Sequence, residues 1–307
     1  MSSDLGLWGI PIAMLGGMIR VSTPYMFVSL GETITEKSGR INLGLEGTLL
    51  IGAVSAYGVS YKTGSPWLGV LAAGACGIVL GMVHAWLCSR PRVSDIAVGI
   101  AMMLFGMGLS FFVGKPLIQP EAPQLPAIEL ASFSDIPALR EALRVNPLFL
   151  LGIALAFFLH WAFASTRIGL VLRMAGESKD AARALGYSVE RVRMLATMAG
   201  GFLSGIGGSF LSLYYPGIWN EGLSSGQGLI AVALVIFARW NPMYCFYASL
   251  LYGAAGSLGT ALQSAGVDVS PHLLNAAPAA LTLAIMIATC SRDRALVGAP
   301  RELTVGA

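Results

Sequence analysis

Long apolar runs, each close to the length that crosses a bilayer as a helix, recur along the whole chain and leave few folds open to it. A backbone in hydrocarbon has no water to satisfy its N–H and C=O groups, so runs of this length select helices. The pattern predicts an all-α, polytopic transmembrane helical bundle of about nine spans, within a range of eight to ten. The segments fall near residues 7–31, 42–60, 67–88, 94–113, 147–165, 194–214, 229–240, 243–263 and 272–290. Segments two and seven are the ones open to being broken or re-entrant. Pro24 is expected to kink the first, with Ser22 and Thr23 answering freed backbone groups. The start of the chain lacks a basic signal-peptide region, so residues 5–30 are expected to stay in the mature protein.

Only 11% of the 307 residues are charged, so the placement of each charge carries information. Residues 166–193 hold Arg167, Arg173, Lys179, Arg183, Arg191 and Arg193. If that stretch is cytoplasmic, the same side receives Lys37, Arg40, Arg90, Arg92, Arg239, Arg292, Arg294 and Arg301. The other side receives only Lys62, Lys115, Arg140 and Arg144, while Arg20 lies inside segment one. This asymmetry predicts a cytoplasmic C-terminus, an extracytoplasmic N-terminus and an extracytoplasmic loop 114–146. That loop is proline-rich in its first half, hence extended, and ends in a short amphipathic helix around IPALREALRV. In the basic stretch, Ser178 reads as an N-cap and Gly186 as a terminating glycine, giving a helix of about two turns near 178–186. It is too short to span a bilayer, and something outside the membrane could push it.

Glycine spacing marks close helix contacts: Gly77 and Gly81 in segment three, Gly201 and Gly205 in segment six. Asn42 and Glu46 are placed on one face of the second helix, beside Gly44 and Gly47, as a polar seam. Glu46 could line a path or pair with Arg40 or Lys37 as structural glue. Asp95 could be a helix N-terminal charge or part of an inner gate. Asn220, Glu221 and Gln227 sit in the polar stretch 215–228, where they could meet an entering solute or simply be solvated. Asn275 and Gln263 are candidate buried amides, and His84 and His272 read as satisfied interfacial residues. The four cysteines match no zinc spacing and read as packing residues. The sequence shows no phosphate loop, no HExxH, no nucleophile elbow GxSxG in a strand–helix context and no basic patch for nucleic acid.

GETITEKSGRINLGLEGTLLIGA, residues 31–53, resembles the signature of ABC importer permeases of the branched-chain amino acid, simple-sugar and nucleoside family. Gly31, Glu32, Glu36, Lys37, Gly39, Asn42, Leu43, Gly44, Glu46, Gly47, Gly52 and Ala53 fit it. Residues 174–213 resemble that family's coupling segment, with Gly176, Glu177, Ala181, Ala182, Arg183 and Gly186 in place. Ser178 and Lys179 stand where Asn-Pro is common, and ARWNP at 238–242 is a weaker third match. The resemblance implies one transmembrane permease domain over 1–307, multi-pass in a bacterial inner membrane and surrounded by lipid. It implies ABC ATPase subunits, a second permease subunit and an extracytoplasmic solute-binding protein as partners. ATP and Mg would be bound by the ATPase and no cofactor by this chain. The coupling residues would be Gly176, Glu177, Ser178, Lys179, Asp180, Ala181, Ala182, Arg183 and Gly186. A translocation path would draw on Asn42, Glu46, Gly47, Asp95, Asn220 and Asn275. Lys115, Arg140 and Arg144 are further expected to meet an acidic rim of the binding protein. INLGLEG, with its glutamate, looks closer to the nucleoside and sugar members, so a nucleoside or purine-like solute is expected, with a simple sugar or a vitamin such as riboflavin as the alternative. An ion-coupled secondary transporter or channel is the reading from another class.

Overall fold

The computed structural model describes residues 9–118, 120–131, 135–264, 280, 284 and 298–305. The chain is helical almost throughout: α1 (Gly9–Lys37), α2 (Leu45–Thr63), α3 (Pro66–Cys88), α4 (Asp95–Gly114), α5 (Pro137–Ala142), α6 (Pro147–Ser165), α7 (Arg167–Glu177), α8 (Lys179–Ala184), α9 (Val189–Leu213), α10 (Gln227–Phe237), α11 (Pro242–Ser264) and α12 (Arg301–Val305). Strands β1 (Ile128–Glu129) and β2 (Arg144–Val145) pair antiparallel within the loop before α6. Among the described residues, α3, α4, α6, α9 and α11 are the five helices long and apolar enough to cross a membrane. α1 and α2 are long but carry more polar residues, and α10 has only 11 residues. Of the ninth expected segment, Ala280 and Ala284 are among the described residues, while His272 and Asn275, and Arg292 and Arg294 of the tail, lie outside them.

α9 is the axis of the bundle. Some 72% of its apolar window is buried, against 22% for α4 and 28% for α6, which lie at the periphery. Glycines on several faces of α9 let three helices approach it backbone to backbone. A Cβ at Gly77 would collide with the Gly201 carbonyl, and one at Gly201 with that of Gly77. Gly81 rests on Thr197, Gly52 on Gly205, Gly208 on Leu49, and Gly31 on Gly200. In lipid, where apolar burial drives little association between helices, such contacts supply the dispersion energy that holds a bundle together. Ser212 adds a hydrogen bond of 2.7 Å to the Ala53 carbonyl.

The largest shifts from the expected boundaries are in α1 and α9; α2 runs three residues later than expected at both ends, and α10 ends at Phe237 instead of near 240. α1 continues through Lys37 instead of ending near residue 31, because Glu32, Thr33, Thr35 and Glu36 are all buried against the bundle. Tertiary packing here overrides the polarity that reads as a loop. α1 is also continuous past Pro24. The Ser22 and Thr23 hydroxyls both bond the Ile19 carbonyl, one residue short of the Arg20 carbonyl that the proline leaves without its N–H. α9 begins at Val189, five residues earlier than expected, with Glu190 in its first turn. In the loop before α6, the Pro120 and Pro123 carbonyls accept bonds of 2.7 Å each from Tyr57 and Ser60. Gln263, expected as a buried amide, is exposed near the end of α11.

Candidate functional site

Two parts of the molecule stand out: a buried junction of carboxylates and an exposed element between α6 and α9. The junction begins where α1 stops. Gly39 has φ +86° and turns the chain back toward the bundle. Arg40 then pairs with Asp95 at 2.5 Å, and the Ile41 N–H reaches the same carboxylate at 3.4 Å. The Asn42 N–H donates to Glu32 Oε1 at 2.7 Å, and Asn42 Oδ1 accepts from the Gly44 N–H at 3.0 Å. Asn42 therefore shapes the turn before α2 and does not share a helix face with Glu46, since its side chain satisfies a backbone N–H that a helix would use otherwise. His84 closes the turn from α3, its Nε2 lying 3.2 Å from the Ile41 carbonyl oxygen.

α2 starts inside the bundle, not at its edge. Gly47 packs on Met102, Met103 and Gly106, near the middle of α4. Glu46, in the first turn of α2, is buried at 4% exposure. Its Oε1 accepts from the Ser224 hydroxyl at 2.5 Å and the Gly226 N–H at 2.9 Å, and its Oε2 from the Gly228 N–H at 2.6 Å. Neither Arg40 nor Lys37 pairs with Glu46 through a salt bridge. The N-termini of α2 and α10 thus converge on one carboxylate, where both helix dipoles favour a negative charge. Gly228 is required there, since a Cβ would meet the Glu46 backbone.

The stretch 215–228 is accordingly not a simple solvated loop. It folds in from the end of α9 to the start of α2, and α10, about 16 Å long, leads from there to the Trp240 turn against the end of α1. Asn220 forms an Asx turn to the Gly222 N–H at 3.0 Å on the way in, and Glu221 is exposed. Beyond α10 the Trp240 indole N–H donates to Glu36 Oε2. Glu32, Glu36 and Glu46 therefore each tie a non-helical segment to the bundle. Among the described residues, Glu32 Oε2, His84 Nδ1, Trp219 Nε1 and Gln227 Oε1 are buried without a hydrogen-bond partner, so His84, expected as a satisfied residue, is satisfied at Nε2 alone. The structure brings Asn42, Glu46, Gly47 and Asp95 into one region, with Asn220 on the approach; Asn275 lies outside the described residues.

The second element is built from caps. Thr166 caps α7, accepting from the Gly169 N–H at 3.1 Å. Ser178 ends α7 and starts α8, its hydroxyl accepting from the Ala181 N–H at 3.2 Å. Gly186 follows with φ +84°, and its N–H returns to the Arg183 carbonyl at 2.9 Å. Only Ala182 of α8 is buried, against Ala175 and Val189. Lys179, Asp180, Ala181, Arg183, Leu185 and Tyr187 face outward, with Arg183 held to Glu190 at 3.0 Å and Asp180 at 3.8 Å. Gly176 lies against Lys37, and Glu177 pairs with Arg301 at 3.9 Å.

Sequence reasoning missed α7 as a separate helix, and it missed Glu302. The Glu302 carboxylate accepts from the Lys179 N–H at 3.3 Å and from Arg193 at 3.2 Å. Burial pushes this carboxyl up, but the Lys179 N–H, the Arg193 guanidinium and the Lys179 ammonium together hold it below the ordinary carboxylate value.

On the opposite end of the bundle, Lys115, Arg140 and Arg144 are exposed. Arg20 pairs with Glu141 at 2.7 Å, and Arg144 lies 4.0 Å from the same carboxylate. Arg20, Gln124, Glu141, Arg144, Tyr214 and Tyr215 line a cleft of about 370 Å³.

Residues 14–290 match the model of a family described as branched-chain amino acid transport system / permease component. The chain is 32% identical over 267 residues to a putative glucose ABC transporter permease of Haloferax volcanii, covering 84% of this chain and 80% of that one. It is 30% identical over 250 residues to the guanosine ABC transporter permease NupQ of Bacillus subtilis, covering 77% and 78%. It is 29% identical over 289 residues to the nucleoside ABC transporter permease NupC of Lactococcus lactis, covering 89% and 90%.

Proposed function

The chain belongs to the branched-chain amino acid transport system permease family and is a multi-pass permease subunit of an ABC transporter; from that premise we propose that it imports a nucleoside or a related purine-like solute. The support is its similarity to the guanosine and nucleoside permeases. The glucose permease relative favours a simple sugar as the second reading.

ATP hydrolysis falls to a partner, which binds ATP and Mg and grips α8. The observation that carries this is the exposed, doubly capped α8, with Arg183, Leu185 and Tyr187 presented outward. A second permease subunit completes the pathway, and an extracytoplasmic binding protein delivers solute. Its acidic rim would meet Lys115, Arg140 and Arg144, a contact that weakens with salt. In this reading α8 is cytoplasmic and the hairpin carrying Arg140 and Arg144 is outside. Alternating access then consists of two arrangements of the bundle whose balance ATP and solute shift. The junction around Glu46 is where such a shift would be felt, because it joins two interrupted elements.

The experiment is uptake into proteoliposomes containing this chain, its partner permease and ATPase, with the binding protein added from outside. Nucleosides, simple sugars and vitamins are compared with and without ATP inside. ATP-dependent nucleoside uptake supports the reading. Sugar uptake alone selects the second reading, and uptake that needs an ion gradient instead of ATP sinks both.

A further inference from the structure

The carboxylate of Glu302 lies where four parts of the protein meet. It reaches the first residue of α8 through the Lys179 N–H, at 3.3 Å, and the Lys179 ammonium, at 3.8 Å. It reaches α9 through Arg193, at 3.2 Å. Arg193 in turn donates from Nε to the Ser38 carbonyl at 3.0 Å and from Nη2 to the Ala175 carbonyl at 3.1 Å. Those carbonyls belong to the turn after α1 and to the end of α7. The turn is packed directly on this pair: a Cβ at Gly39 would sit 2.8 Å from Arg193 Nη2 and 3.0 Å from Glu302 Cβ. Pro300 lies against Gly176, and Leu303 joins the apolar cluster under α6 and α10. The tail therefore docks on both elements described above.

We propose that Glu302 and Arg193 form a clamp that couples α8 to the turn before α2, so that movement of α8 reaches the Glu46 junction. The inference rests on the assignment of α8 as the ATPase-coupling element. From Ser38 the route is short and covalent. Gly39 turns the chain, Arg40 fixes it to Asp95, Asn42 fixes it to Glu32, and Glu46 follows at the start of α2. The two ends of the clamp differ in strength. Arg193 is enclosed, with three acceptors converging on one guanidinium, and such charge-assisted bonds are strong. The contacts to Lys179 are longer, and its side chain is about half exposed. A firm end toward the turn and a looser end toward α8 suit a strap that changes its grip as α8 moves. Glu302 and Arg193 are positioning residues in this scheme; neither touches solute or nucleotide.

The test uses the complete transporter in proteoliposomes, with guanosine as probe and glucose in its place if guanosine is not carried. The readout is solute taken up per ATP hydrolysed. Glu302→Gln should leave ATPase activity within about twofold of wild type and lower that ratio by about fivefold or more, the low end of coupling between linked sites. An unchanged ratio overturns the clamp. So does a parallel fall of uptake and ATPase, which would make Glu302 part of ATPase docking or of general stability. Should Glu302→Gln fail to assemble, Arg193→Lys reads the same device. It keeps a charge for Glu302 but cannot also hold Ser38 and Ala175, so it too must lower the ratio, and a wild-type ratio overturns the proposal. Arg183→Ala with Gly186→Ala is the control: normal transport there sinks the coupling assignment itself, whereas its failure beside a wild-type Glu302→Gln sinks the clamp alone.

Discussion

Glu46 shows how one residue can organise two distant segments. Moving a carboxylate out of water costs several kcal/mol unless donors replace the water. Here one hydroxyl and two backbone N–H groups do so, all from residues 178 to 182 positions away. Glu46→Gln keeps the shape but turns an NH2 group toward a donor. We expect a loss of about 1.5–3 kcal/mol, the range for hydrogen bonds to a charged group, read as a lower melting temperature in detergent together with loss of uptake. Ser224→Ala, which leaves both N–H bonds in place, should cost about 1 kcal/mol. A Glu46→Gln protein with wild-type stability but no uptake would assign the residue to the solute path instead. Glu302 gives a pH prediction at the same scale. Its carboxyl is held below the ordinary value, so its contribution is fully present above about pH 4.3, the unfolded carboxylate value, and is lost as pH falls through the lower folded value. Protection of the 298–305 amides, their exchange relative to the intrinsic rate at each pH, should be alike at neutral and mildly acidic pH and fall only in strong acid. In Glu302→Gln that acid step should disappear.

The helices were legible to different degrees, and the reasons are physical. α3 and α6 are bounded by proline at the start and by polar residues at the end, signals local to the chain, and their limits follow from sequence within a residue. The Ser178 cap and the Gly186 stop are equally local, so α8 is readable too. The end of α1 is not, because Glu32 and Glu36 look like loop residues until α10, Trp240 and Asn42 are brought against them. The same holds for residues 224–228, whose role depends on a glutamate in another segment. Glycine spacing was informative where both partners carry it, as in α3 and α9. This gives a contrast to measure. Gly201→Ala would push a methyl into the Gly77 carbonyl and should destabilise the bundle by about 1–3 kcal/mol. Gly108→Ala, on the open face of α4 with nothing within 4 Å, should be neutral or slightly stabilising, since alanine favours a helix. Equal melting temperatures for the two variants would mean that the α3–α9 contact does not hold the bundle together.

At the scale of the whole molecule, the reading depends on which end faces the ATPase. α8 and the turns after α1 and α10 lie together at one end, linked through Arg193, Glu302 and Trp240. The hairpin with Arg140 and Arg144 lies at the other, against Arg20 of α1. Basic residues gather at the first end, which is why the proposed orientation puts it in the cytoplasm. The assignment can be checked without transport. In a background with the 4 native cysteines replaced, Leu185→Cys and Arg140→Cys place a thiol on an exposed position at each end. A membrane-impermeant maleimide added to intact cells stripped of their outer layers should label position 140 and leave 185 untouched until the membrane is opened. Once the membrane is opened, the thiol at 185 should react readily in cells that express this chain without its ATPase, since Leu185 is exposed and only Ala182 of α8 is buried. The converse pattern would put α8 on the side where no nucleotide is available, and neither an ATPase grip on α8 nor a clamp through Glu302 could then operate.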